Sequence, residues 1–230
     1  MDRLFVLVLF VVISCENGSH LDISDLKFPD PERVFIRNNN VDTMYLFVPQ
    51  ENGTVDRYYK AYDEQGRVTF DSTWGYSVRN YYDLEGMLVK RETGFMTDSI
   101  WYELNVDSML VNQRWSNGNM EVKFYFDDGG RVYRKIELEK DIIDQSRKTR
   151  TDYEYQEDLL KRCVIYESNS ERIDIEFMYY YSPERNIDSV TLRTRNGHRQ
   201  SWIYDRNGLL MAESSNGKRN EVRFVYIKRR

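Results

Sequence analysis

Along most of this chain apolar and polar residues alternate one by one, in short runs that end at Asp, Asn or Gly. Ile173, Ile175, Phe177, Tyr179 and Tyr181 fall on one side of such a run, opposite Asp174, Glu176, Met178 and Tyr180. Val132, Ile136 and Leu138 oppose Tyr133, Lys135, Glu137 and Glu139, and Val190 and Leu192 oppose Thr191, Arg193 and Arg195. A period of two predicts strands with one wet and one buried face, as in antiparallel sheets. The breaks recur. Residues 62–68 (YDEQGRV), 82–88 (YDLEGML), 104–110 (LNVDSML), 126–132 (FDDGGRV) and 204–210 (YDRNGLL) align, with worn copies beginning at Tyr155 and Tyr181. The anchors are spaced by 20, 22, 22, 29, 26 and 23 residues, a repeat period.

Each copy reads as a β-hairpin. The aromatic ends one strand, Asp accepts hydrogen bonds from turn amides, and Gly or Asn takes the positive φ of a tight turn. An aliphatic pair then opens the returning strand. A second set of turn signals, Ser116-Asn117-Gly118-Asn119, Arg195-Asn196-Gly197 and Ser215-Asn216-Gly217, lies between copies. The longer repeat from 126 to 155 fits a lengthened hairpin with its tip near 140–145, or a short helix over 137–146. The expected fold is all-β: an antiparallel meander of about seven β-hairpin repeats over residues 34–230. Its sheet must curl, layer or close, because a flat meander of that length would expose its apolar face. On this reading Gly208→Val should destabilise more than Glu176→Gln.

The unit Tyr-Asp-x-x-Gly-[Arg/Leu]-[Val/Leu] resembles the YD repeat of Rhs-type proteins, and also short bacterial lipoproteins built from similar hairpins. The resemblance runs over about residues 45–230, is clear at Tyr62, Tyr82, Phe126 and Tyr204, and fades at 104, 155 and 181, where Asp or Gly is lost. It implies a wrapping β-sheet. Rhs proteins use many such repeats to enclose a cargo, and seven copies fall short of that shell, so the resemblance speaks to fold more than to function.

The N-terminus carries a different signal. Leu4 to Ile13 is an unbroken apolar run, followed by Ser14 and Cys15 and then the polar residues Glu16-Asn17-Gly18-Ser19. Ten residues suit a signal-peptide core and fall short of the roughly 20 that span a bilayer. Val12-Ile13-Ser14-Cys15 resembles the lipobox of bacterial lipoproteins. That resemblance implies removal of residues 1–14, acylation of Cys15, and anchoring in an envelope membrane, with the outer membrane favoured because Glu16 is weaker than Asp as a retention signal. Two or more acyl chains, at about 0.8 kcal/mol per buried CH₂, hold a protein at a membrane without a spanning helix. Residues 15–33, with Pro29 and Pro31 and little apolar pattern, are expected to form a flexible tether.

Composition narrows the chemistry. The chain holds 18 Tyr, 11 Phe and 4 Trp against 4 Pro, a sheet-forming balance. Its net charge of −5 opposes a nucleic-acid surface. With Cys15 acylated, Cys163 has no disulfide partner and reads as a small core residue. The two histidines, His20 and His198, lie far apart in sequence, so neither a zinc site nor a nucleophile–His pair is expected, and no cofactor or catalytic motif is present. Asp63, Asp83, Asp127 and Asp205 recur at the repeat period and read as turn formers. Tyr58, Tyr59 and Tyr180 place tyrosines on both sheet faces and are candidate ligand-binding residues, since exposed rings stack on sugars or partner proteins. The expected function is a lipid-anchored, non-enzymatic binding or scaffolding module for an envelope protein or glycan. The alternative is a carbohydrate- or peptidoglycan-active enzyme using two turn or inward carboxylates 5–10 Å apart.

Overall fold

The computed structural model describes residues 28, 31–50, 52–72, 77–94, 96–105, 109–140, 146–219 and 222–229. Cys15 and His20 lie outside the described residues, as do Trp74 and the hairpin tip at 141–145. The described residues form one short helix, α1 (Pro31–Asn38), and seventeen strands. The repeats supply seven hairpins: β2 (Val55–Tyr62) with β3 (Val68–Asp71), β4 (Val78–Tyr82) with β5 (Leu88–Thr93), and β6 (Met96–Asn105) with β7 (Leu110–Trp115). Then come β8 (Met120–Phe126) with β9 (Val132–Lys140), β10 (Ser146–Gln156) with β11 (Leu159–Tyr166), β12 (Ile173–Tyr181) with β13 (Ile187–Thr194), and β14 (Arg199–Tyr204) with β15 (Leu210–Ser215). Every aligned anchor sits at a hairpin. The remaining strands are β1 (Val41–Pro49), the two-residue β16 (Lys218–Arg219) and β17 (Arg223–Lys228).

Each strand pairs antiparallel with the next from β1 to β16, and β17 returns to pair with β1 on its other edge, Tyr45 opposite both Tyr59 and Val225. The sheet therefore curls into a nearly closed ring. Its seam lies between β15 and β17, where Tyr226 Oη donates to Leu210 O at 3.0 Å. β9 continues in strand to Lys140, paired with Ser146, so the long repeat is an extended hairpin and the 137–146 helix does not form.

Asp builds the turns as its chemistry demands. Asp63 Oδ1 accepts the amides of Gln65 and Arg67 at 3.0 and 2.9 Å, and Asp127 and Asp205 repeat the arrangement with residues two and four later. Asp83 accepts the amide of Met87 at 2.7 Å. The following glycine takes positive φ, +77° at Gly66 and +75° at Gly208. Where the repeat has lost glycine, Met109, Glu157 and Arg185 adopt the same left-handed conformation. Six of the seven hairpins carry a register shift at the anchor aromatic, so two residues of the returning strand oppose one. This bulge corrects one strand of the alternation pattern. Phe126 pairs with Val132 but Tyr125 pairs with Arg134, so Val132 shares the concave face with Lys135 and Glu137, while Ile136 and Leu138 face outward.

Tyrosines on the concave side, three of them repeat anchors, tie successive hairpins together. Tyr82, Tyr102, Tyr155, Tyr181 and Tyr226 donate their hydroxyls to Val68, Leu88, Val132, Leu160 and Leu210 O at 2.8–3.0 Å. In each case the acceptor is the first or second residue of the returning strand of the preceding hairpin. Two aromatic anchors that follow an earlier hairpin break this ladder: Phe126 has no hydroxyl, and Tyr204 turns instead to Glu32.

The helix was not legible as an element and takes in the last three residues of the expected tether, Pro31 to Arg33. Proline suits a first helical turn, and Glu32 and Arg37 complement the helix dipole at its two ends. Eight residues are too few for a helix stable alone, so docking holds it. Phe35 and Ile36 are buried, 8 % and 5 % exposed, in two separate core clusters. Phe35 joins Ile187, Val190 and Tyr204, and Ile36 joins Val41, Met44, Tyr62 and Leu209. The helix thus bridges the two sides of the seam over the turns at residues 63–66 and 205–208. Asn39 fixes its end, donating to Phe35 O and Asn207 O at 2.9 Å each.

Candidate functional site

Beneath α1, the concave face encloses a cavity of about 350 Å³. Its walls come from both sides of the seam: Met44 of β1, Lys60 and Tyr62 of β2, Phe177 and Tyr179 of β12, and Ile187 and Val190 of β13. Trp202 and Tyr204 of β14, Leu210 of β15 and Tyr226 of β17 complete them, with Glu32 and Ile36 contributed by the helix. The hairpin register explains the convergence. Tyr179, Val190 and Trp202 are direct cross-strand partners, as are Met44, Lys60 and Tyr226, so alternation aims each set at the same side. Phe177 and Trp202 lie with ring planes 19° apart and centroids 6.4 Å apart.

Two charged side chains reach this aromatic space. Glu32 Oε1 accepts the Tyr204 hydroxyl at 2.6 Å, and Lys60 Nζ lies 3.4 Å from Asp71 Oδ2. Burial, reinforced by the negative charge of Glu32, holds the Tyr204 hydroxyl protonated far above the ordinary tyrosine range. Burial likewise raises Tyr226. The arrangement is suited to holding a ligand. Glu32 is the single carboxylate among the wall residues, and no group of three metal-ligating side chains occurs among the described residues.

The candidates from sequence do not come together. Tyr58 is on the concave side, two residues from Lys60, with its hydroxyl 3.3 Å from Asp56 Oδ2, whose charge raises the phenol. Tyr59 faces outward in a row of rings, stacked on Phe70 at 4.7 Å and tilted against Tyr45 at 5.9 Å. Tyr180 is also outward, 38 % exposed, with Lys161 Nζ 5.5 Å from its ring. Cys163 is buried, and desolvation pushes its thiol up to about 11. His198 sits in the turn after β13, its carbonyl accepting from Thr194. The turn aspartates are occupied with backbone amides, as their spacing implied.

The cavity residues were visible only in part. Tyr62 and Tyr204 stood out as repeat anchors and Phe177 and Tyr179 as one face of a strand, but only ring closure makes these one site. Glu32 fell in the expected tether and gave no signal.

No protein-family model matches the chain, and no curated protein sequence matches it. Among solved structures, a porin-like protein from Bacteroides uniformis is similar at 10% identity and a TM-score of 0.37, covering 87% of this chain and 100% of its own. A porin-like protein from Bacteroides vulgatus is similar at 10% identity and a TM-score of 0.41, covering 81% of this chain and 98% of its own. At these scores the likeness carries no argument about function.

Proposed function

We propose that this chain is a lipid-anchored, non-enzymatic protein of the bacterial envelope, the outer membrane favoured, that holds a small ligand in the aromatic cavity of its curled sheet. The observation that carries this reading is the cavity itself: about 350 Å³, walled by six aromatic rings and one carboxylate. Most ligand sites are such concave, largely apolar spaces with few polar groups. A glycosidase-like reaction needs a second carboxylate facing the first, and the walls supply none.

The anchor rests on Val12-Ile13-Ser14-Cys15. The convex face supports attachment by acyl chains rather than by the strands. Arg162 bridges Glu154 and Glu176 at 2.7 Å each, and Arg134 and Arg150 both pair with Asp152, all on the outward side of the alternation. Charges at the lipid-facing midplane of a barrel cost about 2–4 kcal/mol each. The Asp-built hairpins belong with the same proposal, as a short relative of YD-type repeats.

Two measurements test the reading. Metabolic labelling with a radiolabelled fatty acid should mark the wild type and not Cys15→Ala; label persisting in the variant sinks the anchor. Native mass spectrometry of protein purified from its own envelope should show a small-molecule adduct that Leu210→Trp, which narrows the cavity, reduces. An adduct-free wild type, or one equally retained in Leu210→Trp, sinks the pocket.

A further inference from the structure

We infer that the cavity beneath α1 is a site for a compact organic cation, a quaternary or protonated amine, held by aromatic faces and by Glu32. The inference rests on the binding reading above and specifies its ligand. Aromatic faces carry negative quadrupole, and a cation within about 6 Å of a ring centroid is attracted, most strongly when both are desolvated. Six rings wall this cavity. Its formal charges point the same way. Lys60, its one cationic wall residue, is paired with Asp71 at 3.4 Å, which leaves the Glu32 carboxylate as the local excess.

Two of the wall hydroxyls are already committed, Tyr204 to Glu32 at 2.6 Å and Tyr226 to Leu210 O at 3.0 Å. An organic cation needs no donor from the wall, only π faces and one negative charge. Lys60 and Trp202 also carry N–H donors on the wall, so a neutral and an anionic probe enter the test. Glu32 is also the one wall carboxylate delivered by the helix. The same residue therefore supplies the charge and closes the lid over the ligand.

Three probes of nearly one shape separate the possibilities: choline, its neutral carbon isostere 3,3-dimethylbutan-1-ol, and the anion 3,3-dimethylbutanoate. Each is titrated by calorimetry into the intact acylated protein in a non-ionic detergent. The expected order is choline tighter than the alcohol by at least about tenfold, with the anion weakest. Glu32→Gln should weaken choline by about tenfold and leave the alcohol unchanged. Tyr204→Phe keeps the carboxylate but removes its hydrogen bond, so it should retain choline binding. Equal affinity for choline and the alcohol overturns the cation site while leaving a ligand pocket. Tighter binding of the anion overturns it in favour of Lys60. Loss of choline binding in Tyr204→Phe equal to that in Glu32→Gln shows that helix docking, not charge, governs affinity, and also overturns it. No binding of any probe overturns the cation assignment, while the native adduct still decides the pocket.

Discussion

Gly208 and Gly197 share a backbone conformation but not a neighbourhood, and the difference measures how firmly the helix is docked. Their φ values are +75° and +80°. A Cβ at Gly197 meets nothing within 4 Å, whereas one at Gly208 falls 2.5 Å from Phe35 Cγ and 2.6 Å from Cδ1. Alanine at either site carries the left-handed strain of about 1–2 kcal/mol. Part of that, about 0.4–1 kcal/mol, is offset by the stiffer unfolded chain. Gly197→Ala should therefore cost about 1 kcal/mol or less. Gly208→Ala must also unseat Phe35, whose burial contributes about 1.5–3 kcal/mol, for a total of about 2–4 kcal/mol. In a domain of this size each kcal/mol moves the midpoint by about 2–4 °C, so the expected drops are a few degrees for Gly197→Ala and roughly 5–15 °C for Gly208→Ala. Differential scanning calorimetry reads both. Adding Phe35→Ala supplies the control: if eviction of that ring is the mechanism, the double variant with Gly208→Ala costs less than the sum of the singles. Equal midpoints for the two alanines, or strict additivity in the double, would refute the docking argument.

The worn turns give the opposite sign. Glu157→Gly and Arg185→Gly relieve left-handed strain at φ +56° and +66° and lose only their exposed ion pair with each other, so each should raise stability, by up to about 1 kcal/mol; Met109→Gly should not, because Met109 also packs against the Val111, Phe126 and Val132 cluster. The tyrosine ladder sets the alkaline limit. Burial pushes Tyr102 and Tyr181 from 10.0 to about 12, so the folded state keeps protons that the unfolded state releases. Their stabilisation is fully present below pH 10 and is lost as pH rises through about 12. Tyrosinate absorbance followed beside circular dichroism should show ionisation arriving with unfolding, and ionisation of the whole set at ordinary tyrosine pH with the fold intact would contradict the ladder.

What could be read from sequence was local. An Asp whose carboxylate accepts amides two and four residues later, followed by a glycine at positive φ, leaves its trace within seven positions, so all seven hairpins were legible. Even the worn copies at 155 and 181 kept the aromatic that the ladder uses. The expected two strands per repeat missed β1, β16 and β17, which lie outside the repeats. One of these, β1, closes the ring. The bulge at six of the seven anchors slips the alternation by one, which is why Ile136 and Leu138 share a face with Arg134 rather than with Val132. The cavity was not legible, because its defining contact joins residues 172 positions apart. Nor was α1, whose eight residues are helical through docking rather than propensity.

The two defects in the ladder have one cause. Phe126 lacks the hydroxyl that would tie it to the preceding hairpin, and there Phe28 packs edge-on, with ring centroids 5.5 Å from Phe126 and 4.9 Å from Phe124. Tyr204 has the hydroxyl but gives it to Glu32, where the repeat geometry would send it to the carbonyl opening β13, at Ile187. Both breaks in a pattern otherwise kept by five tyrosines fall where Phe28 and α1 touch the ring. A repeat drifting by chance would lose its hydroxyls without regard to that segment. The coincidence means that the N-terminal segment is a specific part of the ring's architecture, substituting apolar packing at one break and a carboxylate at the other. Any force or ligand that moves α1 must then give up the Glu32–Tyr204 contact.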